Sequence, residues 1–248
     1  MKLTVKWNHA KQWLLIGDEI EGQVYREPNA QQFGSQYHGP GAISASAYTY
    51  SFILAAYLHP QGHGLVFGLG AGAGIVMLLA LFPQLTLTVI EINAKLIELA
   101  KTHFPLIRYY IEQGRLSIQQ QSAADFVSHQ PSFFDFTIID IYKGDEDCQE
   151  NITLLPQIAP HTHHIIANLI ANFSDYDCSA LLSNLKQKTQ QDFVLFKCHM
   201  NWILSNISQL PIAITEFSLF PHVSTDSAKM ANEMFKTLLK QVPAKCFY

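Results

Sequence analysis

From Leu65 onward, short runs of consecutive apolar residues alternate with stretches in which apolar residues recur every three or four positions. Runs of the first kind suit strands buried on both faces, and stretches of the second kind suit helices with one buried side. In order they predict a strand "LVFGLG", a helix over about 73–82, a strand "LTLTVIEI", a helix "NAKLIELAKTHF", a strand "RLSIQQ" and a helix "SAADFVSHQ". A strand "FDFTIIDI", a helix near "ENITLLPQI" and a strand "HHIIANLI" follow, then a helix in "DCSALLSNLKQKTQ", the β-prone runs "FVLFKCH" and "NWILSNIS", and a last helix "SAKMANEMFKTLLKQ". Strands separated by helices of this length pair parallel through crossovers. Ahead of them, "LTVKW", "KQWLLIG" and "EGQVYRE" are short β-prone runs split by the turn formers Asn8-His9 and Gly17-Asp18, which predicts a hairpin or meander. "PNAQQFGSQYHGPGA" reads as loop and "SAYTYSFILAAYLH" as a helix. The chain therefore divides into an N-terminal β region, 1–45, and an α/β domain, 46–248.

Composition narrows the function. Over 248 residues a 48% hydrophobic content fills the core of one large α/β domain. Sixteen basic against 20 acidic residues, a net charge of -4 and the lack of a Lys/Arg run argue against nucleic acid as a partner. The four cysteines form no CxxC pair, which argues against a disulfide framework or cysteine zinc site and points to a reducing cytoplasm. "MKLTVKWNHAKQW" lacks the apolar core of a signal peptide, and no uninterrupted apolar run reaches bilayer length, so neither secretion nor membrane insertion is expected.

In a parallel sheet, ligands bind beyond the carboxyl ends of the strands. Those ends carry Gly68, Gly70, Gly72 and Gly74, then Glu91, then Gln121 with Ser122, then Asp140 to Asp145. Glycines at a strand-to-helix turn let backbone N–H groups approach a ligand, and a carboxylate after the next strand can accept two hydrogen bonds from a ribose diol. The pattern reads as an adenosine-ligand pocket. Dinucleotides and S-adenosylmethionine-type ligands share this geometry, but the third dinucleotide-fingerprint position falls on Ala73, and a dehydrogenase does not account for "SAADFVSHQ" or "FDFTIIDIYKGD".

The stretches "LLIGDEIEGQVY", "LVFGLGAGAG", "TVIEIN", "SAADFV", "FDFTIIDIYKGD" and "HIIANL", spread over residues 14–169, resemble in order and spacing the polyamine aminopropyltransferases of the spermidine synthase type. The resemblance implies a small N-terminal β-domain followed by a Rossmann-like, methyltransferase-type domain. It also implies a homodimer, a donor that is decarboxylated S-adenosylmethionine or S-adenosylmethionine itself, and a small-molecule amine acceptor; no metal is expected from the residues. Carried over by residue, Gln23 is similar to the family's donor-contacting glutamine, Gly68, Gly70 and Gly72 to its glycine loop, and Glu91 to its ribose-binding acid. Asp140 matches the first aspartate of the D-x-x-D motif, which deprotonates the attacking amine.

Three positions depart from the family. Ser122 stands where an aspartate grips the adenine amino group, and Tyr48-Thr49-Tyr50 replaces Tyr-His-Glu. Lys143 stands at the second motif aspartate, and with Tyr48 and Tyr142 it would line the acceptor site. An ammonium group there repels a polycation, so a putrescine acceptor is disfavoured. A methyltransferase using the same pocket, and a catalytically silent member binding a nucleoside or a partner protein, remain open alternatives. Asp145, in the acidic run "GDEDCQE", is the one residue placed to replace the missing carboxylate, and Tyr37 and His38 sit in a loop able to close the pocket. "HTHH", His161 to His164, is expected on the turn before a strand, with no carboxylate or cysteine to support a metal. "WLLI", Trp13 to Ile16, offers an edge for a second subunit, and "MANEMFKTLL" reads as a helix covering the sheet or joining subunits.

Overall fold

A computed structural model describes residues 3–7, 12–16, 20–24, 47–70, 72–103, 105–129, 132–141, 149–169, 178–198 and 201–207. The β-prone preface forms an antiparallel sheet of β1 (Leu3–Trp7), β2 (Gln12–Ile16) and β3 (Ile20–Val24), in that spatial order. This corrects the reading of "WLLI" as an edge. Strand β2 carries those residues and is hydrogen-bonded on one side to β1 and on the other to β3, so its backbone groups are already paired.

A 3-10 turn, Ala47–Ser51, leads into α1 (Phe52–Leu58), and then the alternation begins: β4 (His63–Phe67), α2 (Ala73–Leu81), β5 (Thr86–Glu91), α3 (Ala94–His103) and α4 (Pro105–Glu112). It continues through β6 (Leu116–Gln120), α5 (Ala123–Ser128), β7 (Phe134–Ile139), α6 (Gln149–Ile158), β8 (Thr162–Asn168), α7 (Cys178–Thr189), β9 (Val194–Cys198) and β10 (Asn201–Ser205). Helix α4 is absent from the sequence-based expectation. Pro105 reads as a breaker, but at a first helical position its missing N–H and fixed φ cost nothing, and a new helix starts on it. The expected helix over 227–241 lies outside the described residues.

The seven strands run in the order β6-β5-β4-β7-β8-β10-β9. Strands β4 to β8 pair parallel, while β10 is antiparallel to both β8 and β9. Alternate residues explain the two buried faces. Val66, Val89, Ile138 and Ile166 join the layer of α1 to α4, whereas Leu65, Phe67, Ile139 and Ile165 join α5, α6 and α7. Helix α2 is buried all round from Gly74 to Leu81, and fully burying Met77, Leu78 or Leu79 contributes about 1.5–3 kcal/mol each. The chain leaves β4 first towards β5 and β6, then returns to β7 on the other side of β4, so the order of strands reverses between β4 and β7. A crevice at that reversal is where an open α/β sheet takes its ligand. Among the described residues no helix is long and apolar enough to cross a membrane.

Candidate active site

Gly68, Gly70 and Gly72, between β4 and α2, have φ of 99°, 51° and 73°. These values fall in the left-handed region that side chains disfavour. What surrounds them differs. A Cβ on Gly68 would run into the carbonyl oxygen of Asp140, so this glycine exists because the ends of β4 and β7 touch. On Gly72 it would lie 2.8 Å from Cδ1 of Ile107 in α4. At Gly70 it would meet nothing within 4 Å. Close packing thus accounts for Gly68 and Gly72, and Gly70 alone leaves its face open.

Glu91 ends β5 and is 9% exposed. Its Oε2 accepts from the Leu69 N–H at 2.9 Å and its Oε1 from the Asn93 N–H at 2.8 Å. One carboxylate therefore ties the glycine loop to the start of the next helix, where Asn93 Oδ1 in turn accepts from the N–H groups of Lys95 and Leu96. Each Glu91 oxygen keeps a further lone pair. Beside it, Ile92 is 60% exposed, an apolar side chain left in the open next to a buried acid.

Asp140 follows β7, and its N–H continues the ladder by donating to the Phe67 carbonyl at 2.9 Å. Its side chain receives two donors: Tyr48 Oη donates to Oδ2 at 3.2 Å and Asn168 Nδ2 to Oδ1 at 2.8 Å. Burial raises the Asp140 pKa above the ordinary carboxylate value, while the hydrogen bonds from Asn168 and Tyr48 pull it back. The Asp140 charge, and then burial, hold the Tyr48 hydroxyl well above its usual pKa, so tyrosine is the donor of this pair. Among the described residues no cationic side chain pairs with Asp140. A desolvated carboxylate with both oxygens oriented, at the point where the strand order reverses, is equipped to hold an ammonium group or to take its proton.

Three asparagines outside the expected set complete this corner. Asn201 Nδ2 donates to Asn168 Oδ1 at 2.9 Å, and Asn151 Nδ2 donates to the carbonyls of Ile141 and Asn168 at 3.1 and 2.7 Å. Asn168 stands within the quoted stretch "HIIANL" at the carboxyl end of its strand, and that position is the one sequence signal for it.

The remaining expected residues are placed as follows. Ser122 is the N-cap of α5, its Oγ accepting from the Asp125 N–H at 3.0 Å, so capping is the job the structure gives that hydroxyl. Gln121 N–H donates to the Glu91 carbonyl. Gln23 lies on β3 opposite Trp13, and its side chain is outside the description. Tyr142, Lys143, Asp145, Tyr37 and His38 lie outside the described residues, as does the Tyr50 side chain. Of the "HTHH" stretch only His161 lies on the turn before the strand, ending a 3-10 turn, whereas His163 and His164 belong to β8 itself, at the end of the sheet opposite Asp140. His164 Nδ1 pairs with His59 Nε2 at 2.8 Å and the His163 ring stacks on His59. Among the described residues no three His, Cys, Asp or Glu side chains are arranged to hold a metal ion.

The chain matches no protein-family model and no curated protein. Solved structures do share its fold. A probable spermidine synthase from Corynebacterium glutamicum superposes with a TM-score of 0.57 at 14% identity, over 82% of this chain and 75% of that one. A spermidine synthase in complex with the transition-state analogue AdoDATO gives 0.52 at 13% identity, over 82% and 72%. Human methyltransferase-like protein 13 in complex with SAH gives 0.51 at 15% identity, over 82% and 95%. The fold is the Rossmann-like, S-adenosylmethionine-dependent methyltransferase type with a small N-terminal β-domain.

Proposed function

We propose that the protein is a transferase that moves an alkyl group from an S-adenosylmethionine-type sulfonium donor to an amine, and that the group is aminopropyl, taken from the decarboxylated donor. The observation that carries this reading is the Asp140 carboxylate, oriented by Tyr48 and Asn168 beside the glycine loop and facing no described cation. The donor site fits the chain's own groups. Glu91 has lone pairs left for a ribose diol, Gly70 leaves its face open to a ligand, and exposed Ile92 supplies apolar surface for a flat base. Ser122 and Gln23 are proposed to complete it.

The chemistry asks little of the protein. The amine nitrogen attacks the carbon attached to the sulfonium, a C–N bond forms as the C–S bond breaks, and the electron pair leaves on sulfur as a neutral thioether. Asp140 takes the proton that the amine must lose. Holding the reactants at near-attack distance supplies most of the acceleration, and the proton transfer adds about 10²–10⁴-fold.

One observation favours methyl transfer from intact S-adenosylmethionine as a second reading. Lys143, three positions after Asp140, would attract a carboxylate, which the intact donor or an amino-acid acceptor carries and a diamine lacks. The test is turnover by purified protein with both donors against a panel of diamines and amino acids, with methylthioadenosine and S-adenosylhomocysteine followed as products. Formation of methylthioadenosine that requires an amine supports the first reading. Formation of S-adenosylhomocysteine supports the second, and binding of either nucleoside without turnover points to a catalytically silent protein.

A further inference from the structure

The ladder between β7 and β8 closes with the pair Ile139 and Ala167, and the Ile141 carbonyl stands beyond it. Its donor comes from neither strand. Asn151, on the first turn of α6, is 1% exposed, and its Nδ2 donates to the Ile141 carbonyl at 3.1 Å and to the Asn168 carbonyl at 2.7 Å. Among the described residues no other donor reaches the Ile141 carbonyl. The direction of both bonds is forced, because backbone carbonyls only accept and the NH2 group has one hydrogen for each. The Asn151 oxygen is left buried with no partner among the described residues, yet turning the amide over would set that oxygen against two carbonyls.

Asp140 lies between two anchors along the chain. Its own N–H donates to the Phe67 carbonyl at 2.9 Å, and the carbonyl of the next residue is held by Asn151. Asn168 is fixed without Asn151, since it pairs with Ile203 of β10 and the Leu169 N–H donates to the Trp202 carbonyl at 2.8 Å. One amide thus spans from a fixed strand end to the peptide beside Asp140. We infer that Asn151 is a positioning residue for Asp140, setting the spacing between the backbone that carries the carboxylate and the backbone of Asn168, whose side chain meets that carboxylate at 2.8 Å. This deepens the function proposed above, on which it rests in taking Asp140 as the group that receives the proton. Without Asn151 the Ile141 carbonyl is a buried-side acceptor in search of a donor, and Asp140 is anchored from one side only. The groups facing the carboxylate among the described residues are Tyr48, at the entry to α1, and Asn168.

The test is the titration of Asp140, followed by carboxyl-carbon NMR in the ligand-free, full-length protein, in a double-mutant cycle of Asn151→Leu and Asn168→Leu. Asn168→Leu removes a hydrogen bond to a charge and is expected to raise the midpoint by about one pH unit. Asn151→Leu, whose side chain bonds only backbone carbonyls, is expected to raise it by roughly half a unit as the Asn168 bond to the carboxylate lengthens, and to add less once Asn168 is replaced. An unmoved midpoint in Asn151→Leu, or a shift of full size in the Asn168→Leu background, overturns the inference. Asn151→Ala makes the same comparison if the leucine variant does not fold. Turnover separates this from the parent proposal. A raised midpoint in Asn151→Leu, when the wild type turns over no sulfonium donor, keeps the positioning role and removes the function. Wild-type turnover with an unmoved midpoint in the variant does the reverse.

Discussion

The Tyr48 hydroxyl and the Asp140 carboxylate, 92 positions apart, meet at 3.2 Å, so the turn entering α1 is fastened to the end of β7. The contact is lopsided. Tyrosine donates and stays protonated, while the carboxylate bears a desolvation cost that two hydrogen bonds only partly offset.

Asp140→Asn is expected to abolish turnover and to stabilise the fold at neutral pH. The folded-state pKa is raised above the unfolded value of about 3.9. Stability associated with this group is therefore fully present below the unfolded pKa and lost as pH rises through the folded one. The amide carries no charge to desolvate, so its melting temperature should exceed wild type at pH 7, with the gap shrinking near pH 4. A variant less stable than wild type at pH 7 would show that the Tyr48 and Asn168 bonds outweigh desolvation.

Glu91→Ala is expected to weaken methylthioadenosine binding by about 2–4 kcal/mol, the worth of two charge-assisted hydrogen bonds. Because the carboxylate also holds the Leu69 and Asn93 N–H groups, the melting temperature should fall as well. Titration calorimetry decides the matter, and unchanged affinity removes Glu91 from the donor site.

Lys143→Asp is expected to bring a gain of diamine turnover from a poor wild-type level. Near an effective dielectric of 20, exchanging attraction for repulsion of a unit charge at about 4 Å is worth several kcal/mol. Efficient use of putrescine by the unmodified protein would sink this prediction.

Below pH about 6.5 the His59–His164 pair should make the fold acid-sensitive. Burial lowers both pKa values, and the neighbouring imidazoles lower them further: His163 beside His59, His59 and His163 beside His164. Asp135, 3.8 Å from His59, opposes the effect on that ring. With folded values below the unfolded one, the unfolded chain takes up protons first, so stability is intact above about 6.5 and declines through the window beneath it. Urea unfolding at several pH values should show His164→Gln with a flatter decline than wild type. Parallel curves would mean the pair does not titrate in that window.

Arg115→Ala should cost about 2–4 kcal/mol in chemical unfolding, and lysine should rescue little of it. The guanidinium donates to the carbonyls of Leu79, Phe82 and Leu85, closing the carboxyl end of α2, and lies over the Tyr110 ring. A change within 0.5 kcal/mol, the range of ordinary surface substitutions, would show that water replaces those bonds at no cost.

The alternation of strands and helices was legible because each parallel strand is a short apolar run buried on both faces. Gly68 to Gly72, Glu91 and Asp140 were legible because a strand end announces itself locally. What stayed hidden was contact between strand ends. Nothing in the sequence near Asn168 or Asn201 says that one amide will face the other, and nothing near Gly68 says that its missing Cβ makes room for the Asp140 carbonyl. Helix α4 was hidden for a different reason, since Pro105 signals a helix start as readily as a helix stop.

Because α2 has no polar face, the amino end of that helix is a fixed wall. Shifting it in any direction would carry Met77, Leu78 and Leu79, all at 0% exposure, out of contact with close-packed neighbours, and packed interiors resist such partial displacement. On the function proposed above, a donor arriving at Gly70 would meet a surface already in its final shape, and little ordering entropy would be lost on that side.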